Sequence, residues 1–83
     1  MLTQIKTYVH YKLNYGKDIM NLSEELLEEV VRTSEVLKQY EAIPQGAFGA
    51  AFIKKDIEFA KNALTNLDVI DMIRGLKILR EIK

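Results

Sequence analysis

The single proline of this 83-residue chain stands at position 44, in Ile43-Pro44-Gln45-Gly46. Proline lacks a backbone N–H and disfavours the helical conformation in the residue before it, so a helix arriving from the N-terminal side must end by about residue 42. Gly46 and then Gly49 mark the same place as a turn. Upstream, Leu22, Leu26, Leu27, Val30, Leu37 and Tyr40 recur at helical intervals. Asn21-Leu22-Ser23-Glu24 has the spacing of a capping box, with an Asn oxygen to accept from the first turn and Glu24 to reach back. Glu24 and Glu25 then fall in the first turn and Lys38 in the last, as the helix dipole favours. The pattern predicts an acidic helix over 22–42, with Glu28 and Arg32 paired one turn apart.

Downstream of the turn, Phe48, Phe52, Ile53, Ile57, Phe59, Ala60, Ala63 and Leu64 outline a second helix over 47–65. Asn66-Leu67-Asp68 reads as a break, with Asp68 capping a third helix whose apolar stripe is Val69, Ile73, Leu76 and Leu79. A link this short implies an antiparallel helical hairpin over 47–82. Gly75 lies inside the third helix, where glycine costs about 1 kcal/mol relative to alanine. Its presence implies a close backbone approach, with Ala60 or Ala63 as the small residue opposite. The pattern leaves open whether Phe48 and Phe52 are core or contact residues.

The first 17 residues support two readings. Ile5, Thr7, Val9, Tyr11 and Leu13 alternate with polar neighbours as in a strand, whereas Leu2, Ile5, Tyr8, Val9 and Leu13 trace one face of a helix. Asn14-Tyr15-Gly16 looks like a break after either. A strand here has no partner elsewhere in the chain, so it would pair with the same strand of another copy. The expected fold is all-α: a small bundle of three to four helices with a long central helix and a C-terminal hairpin, its N-terminal segment a helix or an exchanged strand. Residues 1–83 then form one helical domain, divided into a basic N-terminal element (1–17), the acidic helix (22–42) and the hairpin (47–82).

Twelve Lys and Arg balance twelve Asp and Glu, but unevenly along the chain: residues 1–17 carry +3, 18–43 carry −5 and 44–83 carry +2. Such segregation bears on association more than on fold. There is no cysteine, hence no disulfide, thiolate metal site or thiol nucleophile. No apolar run approaches the roughly 18–20 residues of a membrane span, and Met1 to Leu13 carries Gln, Lys and His where a signal peptide has its apolar stretch. A soluble cytoplasmic protein without membrane partners is expected.

Chemistry-bearing clusters are few. Glu24/Glu28 and Glu25/Glu29 are each one turn apart, but di-iron bundles add a Glu-x-x-His pair that this chain lacks, so neither metal nor cofactor is expected. His10 is the only imidazole, and no Ser/His/acid set accompanies it, which points away from an enzyme. Gly46 and Gly49 at a helix entry, with Lys54 and Lys55 following, form a candidate site for a phosphate-containing ligand such as a nucleotide, although the Gly-Lys-Ser/Thr of a P-loop is missing. Tyr8, Tyr11 and Tyr15 beside Lys6, Lys12 and Lys17 offer stacking and charge for single-stranded nucleic acid, but so few charges beside an acidic block argue against that partner. Ile78 and Ile82 lie off the apolar stripe of the third helix, beside Gly75, and are expected to serve an interface.

From Ile43 to Leu79, the Gly-Ala-Phe-Gly entry and the closing Leu-Asp-Val-Ile-Asp-Met-Ile resemble small all-helical proteins of phages and prophages. That resemblance implies a protein that blocks or sequesters a host component, in an anti-defence role. Among such proteins are oligomeric sponges for cyclic oligonucleotides, which gives Gly46, Gly49, Lys54 and Lys55 a second meaning. The leading expectation is a non-enzymatic interaction module or inhibitor that forms homo-oligomers and meets a protein partner through Glu24, Glu25, Glu28, Glu35, Ile78 and Ile82. The alternative is an oligomeric binder of a small phosphate-containing ligand.

Overall fold

In a computed structural model the backbone is described from Ile5 to Lys83 and the side chains from Met20 onward. The chain is an all-α bundle of three helices: α1 (Ile5–Glu41), α2 (Ala47–Asn66) and α3 (Val69–Arg80), with a 3-10 turn, Pro44–Gly46, between the first two. Each helix packs on both of the others. Among the described residues there is no strand, so the exchanged-strand reading of the N-terminal segment does not hold from Ile5 onward.

The division of residues 5–42 into two elements is also corrected. α1 runs 37 residues without interruption, through Asn14-Tyr15-Gly16 and through the capping box. One glycine costs a helix about 1 kcal/mol and does not end it, because it still supplies the N–H that proline lacks. A capping box requires a non-helical residue at its head, and Asn21 already lies within the helix. At about 1.5 Å per residue α1 is roughly 55 Å long, close to the 57 Å longest dimension of the molecule. α2 spans about 30 Å and α3 about 18 Å by the same rise.

The remaining boundaries follow the sequence closely. α1 stops at Glu41, three residues before Pro44, and the turn is closed by Ile43 N–H on the Tyr40 carbonyl and Gly46 N–H on the Ile43 carbonyl. Asp68 caps α3, its carboxylate accepting from the Asp71 N–H at 3.1 Å. Leu67 between the helices takes a left-handed conformation, φ 51°, and its N–H bonds the last turn of α2.

The core is built from small and medium side chains. α1 contributes Leu26, Val30 and fully buried Thr33, with Leu22, Val36, Leu37 and Tyr40 packed against them. α2 contributes Ala50, Ile53, Ile57, Ala60 and Ala63, and α3 Met72, Leu76 and Leu79. Leu27 is exposed; the inward stripe steps 26, 30, 33, 37, 40, and position 27 lies about 100° off it. Gly75 is buried as the sequence implied: a Cβ there would meet Ala60 Cα and Cβ at 3.4 Å.

Candidate interaction surface

The inward face of α2 steps 50, 53, 57, 60 and leaves the opposite face to Phe48, Phe52, Lys55 and Phe59, all within an arc of about 60°. Every phenylalanine of the chain therefore lies along one stripe. Phe48 is 84% and Phe52 67% exposed, while Phe59, beside the hairpin, is half-buried. The helix thus encloses Ala50, Ile53, Ile57, Ala60 and Ala63 and presents the larger Phe48 and Phe52 to solvent. Beside the aromatic ridge lies an open concavity floored by Ala47, Ala50 and Ala51 and rimmed by Lys54, Lys55 and Glu58, all from α2.

A second apolar stripe faces outward from α1. Met20, Leu27 and Val31 are each more than half exposed and fall within an arc of about 40°. Glu24, Glu28 and Glu35 line one flank of it. Of the acidic residues singled out from the sequence, Glu25 alone points away from that flank. Glu25 reaches across to Arg80 of α3 at 3.1 Å and Glu35 pairs with Lys38 at 3.5 Å, whereas Glu24 and Glu28 have no ion-pair partner among the described residues. Arg32 pairs with Glu29, not with Glu28. Its guanidinium is turned toward the end of α3, on the Glu29 side of the helix, where it also meets the Leu79 carbonyl.

The glycine and lysine set is likewise divided. A Cβ on Gly46 would overlap the carbonyl of Tyr40, and one on Gly49 would stand 2.6 Å from the Tyr40 ring. Both glycines thus admit Tyr40, which seals the α1–α2 turn. Lys54 lies eight residues beyond Gly46, about 12 Å along the helix, and pairs with Glu41 at 3.8 Å. Lys55 stands in the aromatic ridge, apart from both glycines.

Ile78 is just over a third exposed, but Ile82 packs against the core. α3 ends at Arg80, so the helical wheel that puts Ile82 outside no longer applies at that position; its N–H folds back onto the Leu79 carbonyl. Ile73, expected inside, is instead about half exposed, because the buried arc of α3 is centred on Met72, Gly75, Leu76 and Leu79. His10, Lys6, Lys12, Lys17, Tyr8, Tyr11 and Tyr15 lie outside the described side chains. Among the described residues no three His, Asp or Glu groups converge as metal ligands, and no helix is long and apolar enough to cross a membrane.

Two features escape the residue pattern read alone. The outward stripe of α1 becomes legible only once the core stripe has been subtracted, leaving Met20, Leu27 and Val31 at intervals of seven and four. Arg32 as a clamp on α3 has no local signal at all, since its partner lies 47 residues away. No family model matches the chain, and neither a curated protein nor a solved structure matches it.

Proposed function

We propose that this chain is a non-enzymatic protein-interaction module that acts by occupying a partner surface through the outward face of α2. The observation that carries this reading is the exposure of Phe48 and Phe52, one turn apart on the same face. The pair leaves about 300 Å² of aromatic surface in water, taking roughly 200 Å² for each phenylalanine. A patch of that size falls in the range of the largest apolar patch on a monomeric protein, which is often functional. Aromatic side chains are also the usual anchors of protein interfaces, because they bring large contact area with few rotatable bonds. Glu24 and Glu28 add an acidic flank on α1 that has no ion-pair partner among the described residues, which supports oriented contact with a basic surface.

The test is a photo-crosslinking amino acid placed at Phe48 of the full chain, in the cells that produce it. Discrete protein adducts are expected, and they should disappear when Phe52→Glu is added. The same probe at Lys61, on a different flank of α2, serves as the control. Absence of adducts from position 48, with the helical circular dichroism intact, overturns the reading.

A further inference from the structure

The two outward stripes described above have the same spacing, read in opposite directions. From Val31 backward along α1 the steps are four, three and four residues, to Leu27, Glu24 and Met20; from Phe48 forward along α2 they are four, three and four, to Phe52, Lys55 and Phe59. Laid antiparallel, they set Val31 against Phe48, Leu27 against Phe52 and Glu24 against Lys55. The fourth step sets Met20 against Phe59. Apolar thus meets apolar at three levels, and the one acidic position meets the one basic position.

We propose that the partner of the Phe48–Phe52 face is a second copy of this chain, whose α1 docks on it antiparallel through Val31, Leu27 and Glu24. The inference rests on the interaction reading above and names the occupant of that surface. Charge supports it: Glu24 and Lys55 have no ion-pair partner among the described residues, whereas the neighbouring Glu25 and Lys54 are both paired within the protomer. Area supports it too. Phe48, Phe52, Leu27, Val31 and Met20 together expose about 600 Å² of apolar side chain, taking roughly 150–200 Å² for each. At the usual apolar share of about 60% this corresponds to a contact of about 1,000 Å², the lower bound for a specific interface. One copy gives its α1 face and the other its α2 face, so the contact is heterologous, and each dimer keeps one unused face of each kind, one on either copy. Assembly therefore depends on concentration and runs past the dimer, into a ring or an open chain.

Sedimentation velocity over a concentration series tests this. The wild type is expected to exceed the 9.6 kDa monomer mass increasingly with concentration. Leu27→Glu removes the α1 face and Phe48→Glu the α2 face; both positions are exposed, so both variants should sediment as monomers and should match the melting curve of the wild type at a dilution where it too is monomeric. Mixed in equal amounts, they should form a species of twice the monomer mass and no larger, because one intact face of each kind remains. Glu24→Lys should weaken assembly at least tenfold, and adding Lys55→Glu in the same chain should restore it. A wild type that stays monomeric at every concentration overturns the proposal, as does a mixture that fails to dimerise. Adducts from position 48 to a different protein, with no self-association, would leave the interaction reading standing and remove this one.

Discussion

The guanidinium of Arg32 donates from Nη2 to the carbonyl oxygen of Leu79 at 2.8 Å, while Nε and Nη2 also hold Glu29 Oε1 at 3.0 and 2.9 Å. One side chain of α1 thus adds a second, charged donor to a carbonyl of the last turn of α3 that already accepts from the Ile82 N–H at 3.0 Å. Its positive charge also meets the negative end of the α3 dipole. With Arg80 on Glu25, it fixes where the end of α3 lies against α1.

Arg32→Ala should therefore lower stability by about 1–2 kcal/mol, the usual worth of a charge-assisted bond to a partly exposed carbonyl. Glu29→Ala should cost no more than about 0.5 kcal/mol, since it removes only a surface ion pair. Urea unfolding, read at the midpoint with the slope unchanged, separates the two. Equal losses from both would mean that the ion pair, and not the α3 contact, is the stabilising part.

Two buried-side glycines should respond in opposite directions to the same methyl group. At Gly75 a Cβ would sit 3.4 Å from Ala60 and 3.7 Å from Leu26 Cδ1, ordinary contact distances. Gly75→Ala should thus raise stability by up to about 1 kcal/mol through helix propensity, whereas Gly75→Leu should overpack the crossing and cost about 1–3 kcal/mol. At Gly46 the obstruction is the Tyr40 backbone, with its carbonyl carbon at 3.0 Å, and backbone cannot swing aside. Gly46→Ala should destabilise by at least about 1 kcal/mol. Thermal melts of the three variants decide the matter, and a stabilising Gly46→Ala would show that the turn can open.

Leu67 occupies a left-handed position, φ 51° and ψ 40°, with its side chain mostly in solvent. A left-handed conformation costs a residue with a Cβ about 1–2 kcal/mol. Glycine relieves that strain but loses more chain entropy on folding, while asparagine tolerates the region with a side chain in place. Both Leu67→Gly and Leu67→Asn should raise stability by about 0.5–1 kcal/mol, read as a higher unfolding midpoint in urea. A drop in both would mean that Leu67 makes contacts its exposure does not suggest.

What the sequence made legible was whatever depended on near neighbours. Pro44 ended α1, Asp68 capped α3, and Gly75 announced a close approach that the Ala60 contact supplies. The start of α1 was misread because capping residues and a glycine are signals of preference, each worth about 1 kcal/mol, and a long helix absorbs them. The assignment of faces fails where long-range packing decides: Leu27 and Ile73 turn outward, and Ile82 inward. Phe48 and Phe52 were undecidable from periodicity, since an apolar residue at helical spacing looks the same whether its face meets the core or solvent.

Among the described residues Thr33 is the one fully buried polar residue of the core, and its hydroxyl is bonded within its own helix, donating to the Glu29 carbonyl at 2.7 Å with the Val30 carbonyl at 3.2 Å. Those carbonyls belong to the interior of α1, where backbone N–H groups four residues on already satisfy them. Removing the hydroxyl therefore orphans no polar atom, in contrast to breaking a pair in which one partner depends on the other. Valine has nearly the same shape and places a methyl group where the hydroxyl stood, gaining apolar contact in a core short of large side chains. Thr33→Val should accordingly stabilise the bundle by about 0.5–1 kcal/mol. Thr33→Ala, which also opens a small void, should destabilise it by about 1 kcal/mol. At half-buried Ser34, whose hydroxyl makes the same kind of bond to the Val30 carbonyl at 2.7 Å, alanine should change stability by no more than about 0.5 kcal/mol. Calorimetric unfolding of the three variants checks the argument. A loss of more than 1 kcal/mol in Thr33→Val would show that the buried hydroxyl bond itself, and not the methyl beside it, holds α1 to the core.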